Sequence, residues 1–91
     1  MKIGFIGLGN VGYKLANSIL ESGFDLLIND LDANIGKPLV DKGAVWSESP
    51  KKLAQIADIS ITCLPSPKAV ATVLEGPDGL IEGIEAGKLW I

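Results

Sequence analysis

The sequence predicts an α/β fold, a doubly wound parallel sheet with helices on both faces. Three observations carry that prediction. Short apolar runs alternate with segments of helical periodicity along the chain. Glycine follows the helical segments at Gly23 and Gly43, where a helix stop is expected. The opening stretch, Met-Lys-Ile-Gly-Phe-Ile-Gly-Leu-Gly-Asn-Val-Gly, sets the spacing Gly7-x-Gly9-x-x-Gly12 between the first strand and the first helix.

The elements follow in order. A strand is expected over 2–6 and a helix over 10–22, with Val11, Leu15, Ile19, Ala16 and Leu20 as its apolar positions. A second strand spans 25–29, and 30–34 reads as a polar turn. A helix over 33–42 is weakened by Gly36 and Pro38, although proline is tolerated in a first turn. A short strand over 44–46 precedes Ser49-Pro50, a cap followed by a proline at the first helical position, and that helix reaches residue 57. The strand over 59–64 is broken by Pro65-Ser66-Pro67. A helix over 68–75, a Gly76-Pro77-Asp78-Gly79 turn, a helical piece over 80–84 and a strand beginning at Lys88 complete the pattern.

Size and composition exclude several classes of function. Ninety-one residues make one small domain with a limited core. The net charge is −3, from 8 basic and 11 acidic residues, without a basic cluster, so nucleic acid is not an expected partner. No apolar run approaches the roughly 18 residues of a membrane span. Lys2 opens directly into the first strand, which leaves no room for a leader and points to a cytoplasmic protein. Cys63 is the single cysteine and histidine is absent, so disulfides, cysteine or histidine metal sites and His-dependent nucleophilic catalysis are not expected. Cys63 lacks a base to make it a thiolate and reads as a packing residue. Trp46 and Trp90 read the same way. The acids Glu75, Asp78, Glu82 and Glu85 read as a solvated face, and Lys68 as a solvated helix residue. No catalytic residue and no metal ligand is assigned.

What remains is the glycine turn. Gly7 allows the tight exit from the strand, Gly9 lets a pyrophosphate approach the backbone, and Gly12 lets the helix lie close to the sheet. The helix N-terminus then directs free N–H groups and partial positive charge at the phosphates. Leu8, Asn10 and Val11 belong to the same cradle. Asp30 lies 18 residues beyond Gly12, where a carboxylate accepts hydrogen bonds from the ribose of NAD and repels the 2′-phosphate of NADP. Leu31 brings no positive charge to offset that repulsion, so NAD is favoured over NADP. Asn29 and Asp32 are candidates to share the role of Asp30, and the alternative for Asp30 is a turn cap. A second contact is expected from Leu64-Pro65-Ser66, beyond the carboxyl end of the strand that neighbours the first, near the switch point of the sheet.

These residues resemble the β-hydroxyacid dehydrogenase family, which includes 3-hydroxyisobutyrate dehydrogenase and 6-phosphogluconate dehydrogenase. Gly4-Phe5-Ile6-Gly7-Leu8-Gly9-Asn10-Val11-Gly12 is similar to its G-F-I-G-L-G-x-M-G signature, with Val11 in place of methionine. The likeness continues through Ala57-Asp58, Leu64-Pro65 and Gly76-Pro77-Asp78-Gly79-Leu80. It implies a Rossmann-type domain, the NAD-binding portion of an oxidoreductase acting on a small 3-hydroxy acid or semialdehyde. It places Asp30 where NAD-using members carry an acid, and Leu64-Pro65 at the Leu-Pro pair that lines the cofactor. Ala69 stands where 3-hydroxyisobutyrate dehydrogenases carry asparagine. The family's Asp-x-Ser-Thr segment, catalytic lysine, last strands and helical substrate domain all follow later than Ile91. The expectation is therefore an incomplete dinucleotide-binding domain over 1–91, inactive by itself, with oligomeric state left open. A non-catalytic nucleotide-sensing module and a pyrroline-carboxylate-reductase-like enzyme are the alternatives.

Overall fold

A computed structural model describes residues 1–64, Val73, Gly79 and the pair Leu89–Trp90. The elements are β1 (Lys2–Ile6), α1 (Asn10–Glu21), β2 (Asp25–Asn29), α2 (Ala33–Asp41), β3 (Val45–Trp46), α3 (Pro50–Ile56), β4 (Ile59–Thr62) and β5 (Leu89–Trp90). The strands form one parallel sheet in the order β3-β2-β1-β4-β5. Strand order reverses direction at β1: the chain first builds outward through β2 and β3, then returns to β4 on the other side. That is the doubly wound arrangement, with its switch point between β1 and β4.

β1 is central and buried from Ile3 to Ile6. It pairs with β2 from Lys2↔Asp25 to Ile6↔Asn29 and with β4 from Ile3↔Ile59 to Ile6↔Thr62. Asp58 fixes the second register: its carboxylate accepts from the Lys2 N–H at 2.9 Å, and its own N–H donates to the Lys2 carbonyl at 2.8 Å.

Alternation along the strands divides the core in two. Ile3, Phe5, Leu26 and Ile28 meet Ala16 of α1 and Leu39 of α2 on one face. Ile6 and Leu27 meet Leu53 and Ala54 of α3 and its C-cap Ala57 on the other, with Leu64 and Val73 packed against them. Gly4 gives α3 its close approach, because a Cβ there would run into Leu53 and lie 3.1 Å from that of Ala57.

Several expectations are sharpened or corrected. Val11 and Leu15 do not face the core: they are 65% and 50% exposed, while Gly12 and Ala16 are the buried positions of α1. Small side chains bring the helix down onto the sheet, and the flanking Tyr13, Ile19 and Leu20 complete the contact. Pro38 is the sixth residue of α2, past the first turn in which proline is harmless. Packing holds the helix there: Leu39 is fully buried, and the bare Cα of Gly36 admits Trp46, whose Cζ3 would lie 2.8 Å from a Cβ. β4 ends at Thr62, two residues before the expected 64, although the Cys63 N–H still donates to the Ile6 carbonyl at 2.9 Å. The strand expected from Lys88 is β5. The helices expected over 68–75 and 80–84 and the turn over 76–79 lie outside the described residues, Val73 and Gly79 apart.

Candidate cofactor site

The glycine turn sits at the carboxyl end of β1, between the ends of β2 and β4. Gly7 occupies φ +97°, a conformation side chains rarely adopt. Its N–H donates to the Asn29 carbonyl at 3.1 Å, and a Cβ on it would strike the Cys63 carbonyl oxygen. Gly7 is therefore required by the protein itself, since the turn is clamped between β2 and β4. Gly12 is required for a related reason: its Cβ would meet the Gly7 carbonyl.

Gly9 differs from both. Its backbone, at φ −64° and ψ −174°, suits any residue, and nothing lies within 4 Å of where a Cβ would stand. The fold makes no demand for glycine at this position. The open space lies against the start of α1, where Gly9 is the N-cap and provides no side-chain cap. The first intrahelical bond runs from the Tyr13 N–H to the Gly9 carbonyl at 2.7 Å, so the N–H groups of Asn10, Val11 and Gly12 have no acceptor within the helix. Gly9, Asn10 and Val11 are exposed. A cradle that a Cβ would fill, lined by unpaired donors at the positive end of a helix, fits a phosphate group.

The other expected residues divide into those at this rim and those engaged elsewhere. Leu8 is a core residue: its side chain is 2% exposed, and its N–H donates to Asp30 Oδ2 at 2.7 Å. Asp30 is half-buried, and its Oδ1 accepts from the Asp32 N–H at 3.0 Å. The carboxylate thus caps the turn after β2 and ties that turn to the glycine turn. Leu31, beside it, is fully exposed. Asn29 is buried, and its Nδ2 donates to the Ser47 carbonyl at 2.8 Å, which holds the end of β3 against β2. Asp32 caps α2 by accepting from the Asn34 N–H at 3.0 Å. Leu64 is half-buried, and its Cδ2 would lie 3.0 Å from a Cβ on Gly7. Pro65 and Ser66 fall outside the described residues.

Sequence reasoning missed the backbone of Cys63, which shapes the turn through its carbonyl. Only the β1–β4 pairing brings it there, across a separation no local pattern encodes. Among the described residues there is no group of three or more metal-ligating side chains, and no helix is long and apolar enough to cross a membrane.

A doubly wound parallel sheet with an open, glycine-lined helix start at its switch point defines the class of dinucleotide-binding domains. The chain belongs, over residues 2–91, to the family of the NAD binding domain of 6-phosphogluconate dehydrogenase. It is 39% identical over 89 residues to 3-sulfolactaldehyde reductase of Escherichia coli, covering 98% of this chain and 30% of that protein. It is 34% identical over 89 residues to the mitochondrial 3-hydroxyisobutyrate dehydrogenase of Mus musculus, covering 98% of this chain and 27% of that protein. Among solved structures, Psf3 in complex with NADP+ and 2-OPP superposes with a TM-score of 0.90 at 28% identity, over 97% of this chain and 31% of that one. The chain thus spans under a third of the length of these relatives.

Proposed function

We propose that this chain holds a nicotinamide dinucleotide by its pyrophosphate at the start of α1, and that it prefers NAD to NADP. The observation that supports the reading is the contrast between Gly9 and its neighbours. Gly7 and Gly12 are glycine because the protein leaves no room, whereas Gly9 is glycine beside empty space. Gly9, Asn10, Val11 and Gly12 would line the phosphates, with Leu8 supporting them from below. Leu64, Pro65 and Ser66 would meet the nucleotide from the β4 side. The Asp30 carboxylate, with the uncharged Leu31 next to it, favours ribose hydroxyls over a 2′-phosphate. Solved structures of similar fold include one in complex with NADP+ and one in complex with NAD+, so the proposed preference rests on these two residues.

In the whole protein, the domain would orient the dinucleotide for hydride exchange with a 3-hydroxy acid or the matching semialdehyde, such as 3-hydroxyisobutyrate. The names of the relatives support that substrate class. When bound, the nicotinamide ring supplies the hydride chemistry, and residues 1–91 would supply binding and orientation. Residues 1–91 would form a cofactor domain whose substrate half lies elsewhere, and alone they would bind without turnover.

Calorimetric titration of the folded chain with NAD and with NADP tests this. Saturable binding with NAD the tighter ligand is expected, and Asp30→Arg should narrow or invert the ratio. No saturation with either cofactor overturns the site, and an unchanged ratio in Asp30→Arg overturns the selectivity.

A further inference from the structure

The Asp30 carboxylate has two backbone partners within the protein. Oδ2 accepts from the Leu8 N–H at 2.7 Å, and Oδ1 accepts from the Asp32 N–H at 3.0 Å. Hydrogen bonds to an ionised acceptor are about twice as strong as neutral ones. The first of these joins positions 22 residues apart and ends inside the glycine turn. We propose that Asp30 is a positioning residue for the phosphate cradle: it grips the Leu8 peptide and so fixes the backbone at Gly9 and the first turn of α1 before any ribose arrives. This inference rests on the reading of the turn as a dinucleotide site.

The geometry supports that assignment. Leu8 stands between Gly7 and Gly9, and glycine loses more conformational freedom on ordering than any other residue. The turn is anchored on three sides: the Gly7 N–H is held by the Asn29 carbonyl, Gly7 packs against the Cys63 carbonyl, and Leu8 is buried in the core. None of those contacts fixes the orientation of the Leu8 peptide plane, and the bond to Asp30 does. Gly9, the next residue, has open space where a Cβ would stand, and it is held from the helix side by the Tyr13 N–H on its carbonyl. A loosened Leu8 peptide would therefore pass its freedom directly to the phosphate-facing backbone, and binding would have to order it. The bond to Asp32 keeps the carboxylate in place, which leaves its remaining lone pairs aimed by the protein and not by the ligand.

The consequence differs from that of a ribose contact. A group that only binds ribose matters solely for ligands that carry the hydroxyls. A group that sets the turn matters for every ligand with a pyrophosphate. The full chain and Asp30→Asn are to be titrated with ADP and with 2′,3′-dideoxy-ADP, which lacks the ribose hydroxyls. Weakening of both nucleotides by about tenfold, to a similar degree, is expected. Weakening of ADP alone, or of neither, overturns the proposal. Failure of the unsubstituted chain to bind either nucleotide overturns the underlying site and the proposal with it. Amide exchange by NMR gives a readout that does not depend on ligand. Leu8 should be protected in the free chain, and Asp30→Asn should release it while Ile28 and Phe5 stay protected. Should Asp30→Asn not fold, the unsubstituted chain still decides: a Leu8 amide exchanging at the rate of an unstructured one overturns the proposal, and a protected one upholds it.

Discussion

α1, α2 and α3 rise from the same carboxyl edge of the sheet, yet they begin differently. α2 and α3 close their own N-termini: Asp32 accepts from the Asn34 N–H, and Ser49 accepts from the Lys52 N–H at 3.2 Å. α1 begins at Gly9 with no side-chain acceptor. Two of these three helix starts are capped by the protein's own side chains, and the third leaves its donors open. The bare start is the one at the switch point beside β4, where a ligand fits in this class of fold. Capping chemistry, more than the glycine count, sets α1 apart from α2 and α3 and supports the proposed phosphate site.

Four substitutions break or sharpen that contrast, taken from the largest effect to the smallest. Gly7→Ala removes the turn beneath α1. The left-handed backbone and the clash with the Cys63 carbonyl together should cost about 3 kcal/mol or more, read as a shift of the urea midpoint. Gly9→Asp gives α1 the cap it lacks. Stability should hold or rise by a few tenths of a kcal/mol, while NAD affinity should fall about 100-fold or more as a carboxylate occupies the phosphate position. If Gly9→Asp bound NAD as tightly as the unsubstituted chain, the contrast would have no functional meaning. Asn29→Ala leaves the buried Ser47 carbonyl without its donor and should lower stability by about 1–3 kcal/mol in thermal unfolding. Ser49→Ala strips the cap from α3 and should cost about 1 kcal/mol, with NAD affinity unchanged by calorimetry.

Much of this architecture was legible in the residues themselves. β1, β2 and the starts of α1, α2 and α3 lie where apolar runs, glycine stops and the Ser49-Pro50 pair put them. The faces of α1 were less legible. Val11 and Leu15 match the helical period, but proximity to the sheet favours Gly12 and Ala16, and a period cannot tell a helix that packs by large side chains from one that packs by small ones. Pro38 was legible only as a weakness, because the burial of Leu39 and the seat Gly36 makes for Trp46 depend on β3. At the site, the glycines could be read as a group but not told apart. Gly7 answers to the ends of β2 and β4 on either side, Gly12 to the Gly7 carbonyl, and Gly9 to open space, distinctions that need the strands placed side by side. Asp30 could be read as a ribose acceptor or as a turn cap. Its bond to Leu8 needed the two turns to be placed side by side.

That bond also bears on the order in which the molecule assembles. Leu8 and Asp30 lie within a single strand–helix–strand unit and are 22 positions apart, whereas Lys2 and Asp58, which align β1 with β4, are 56 apart. Closing the longer loop costs only about 0.8 kcal/mol more in chain entropy, but contacts of low sequence separation form sooner. The Leu8–Asp30 side of the switch point can thus take shape before β4 pairs with β1. The Cys63 side is then added as β4 pairs with β1, against a turn already set.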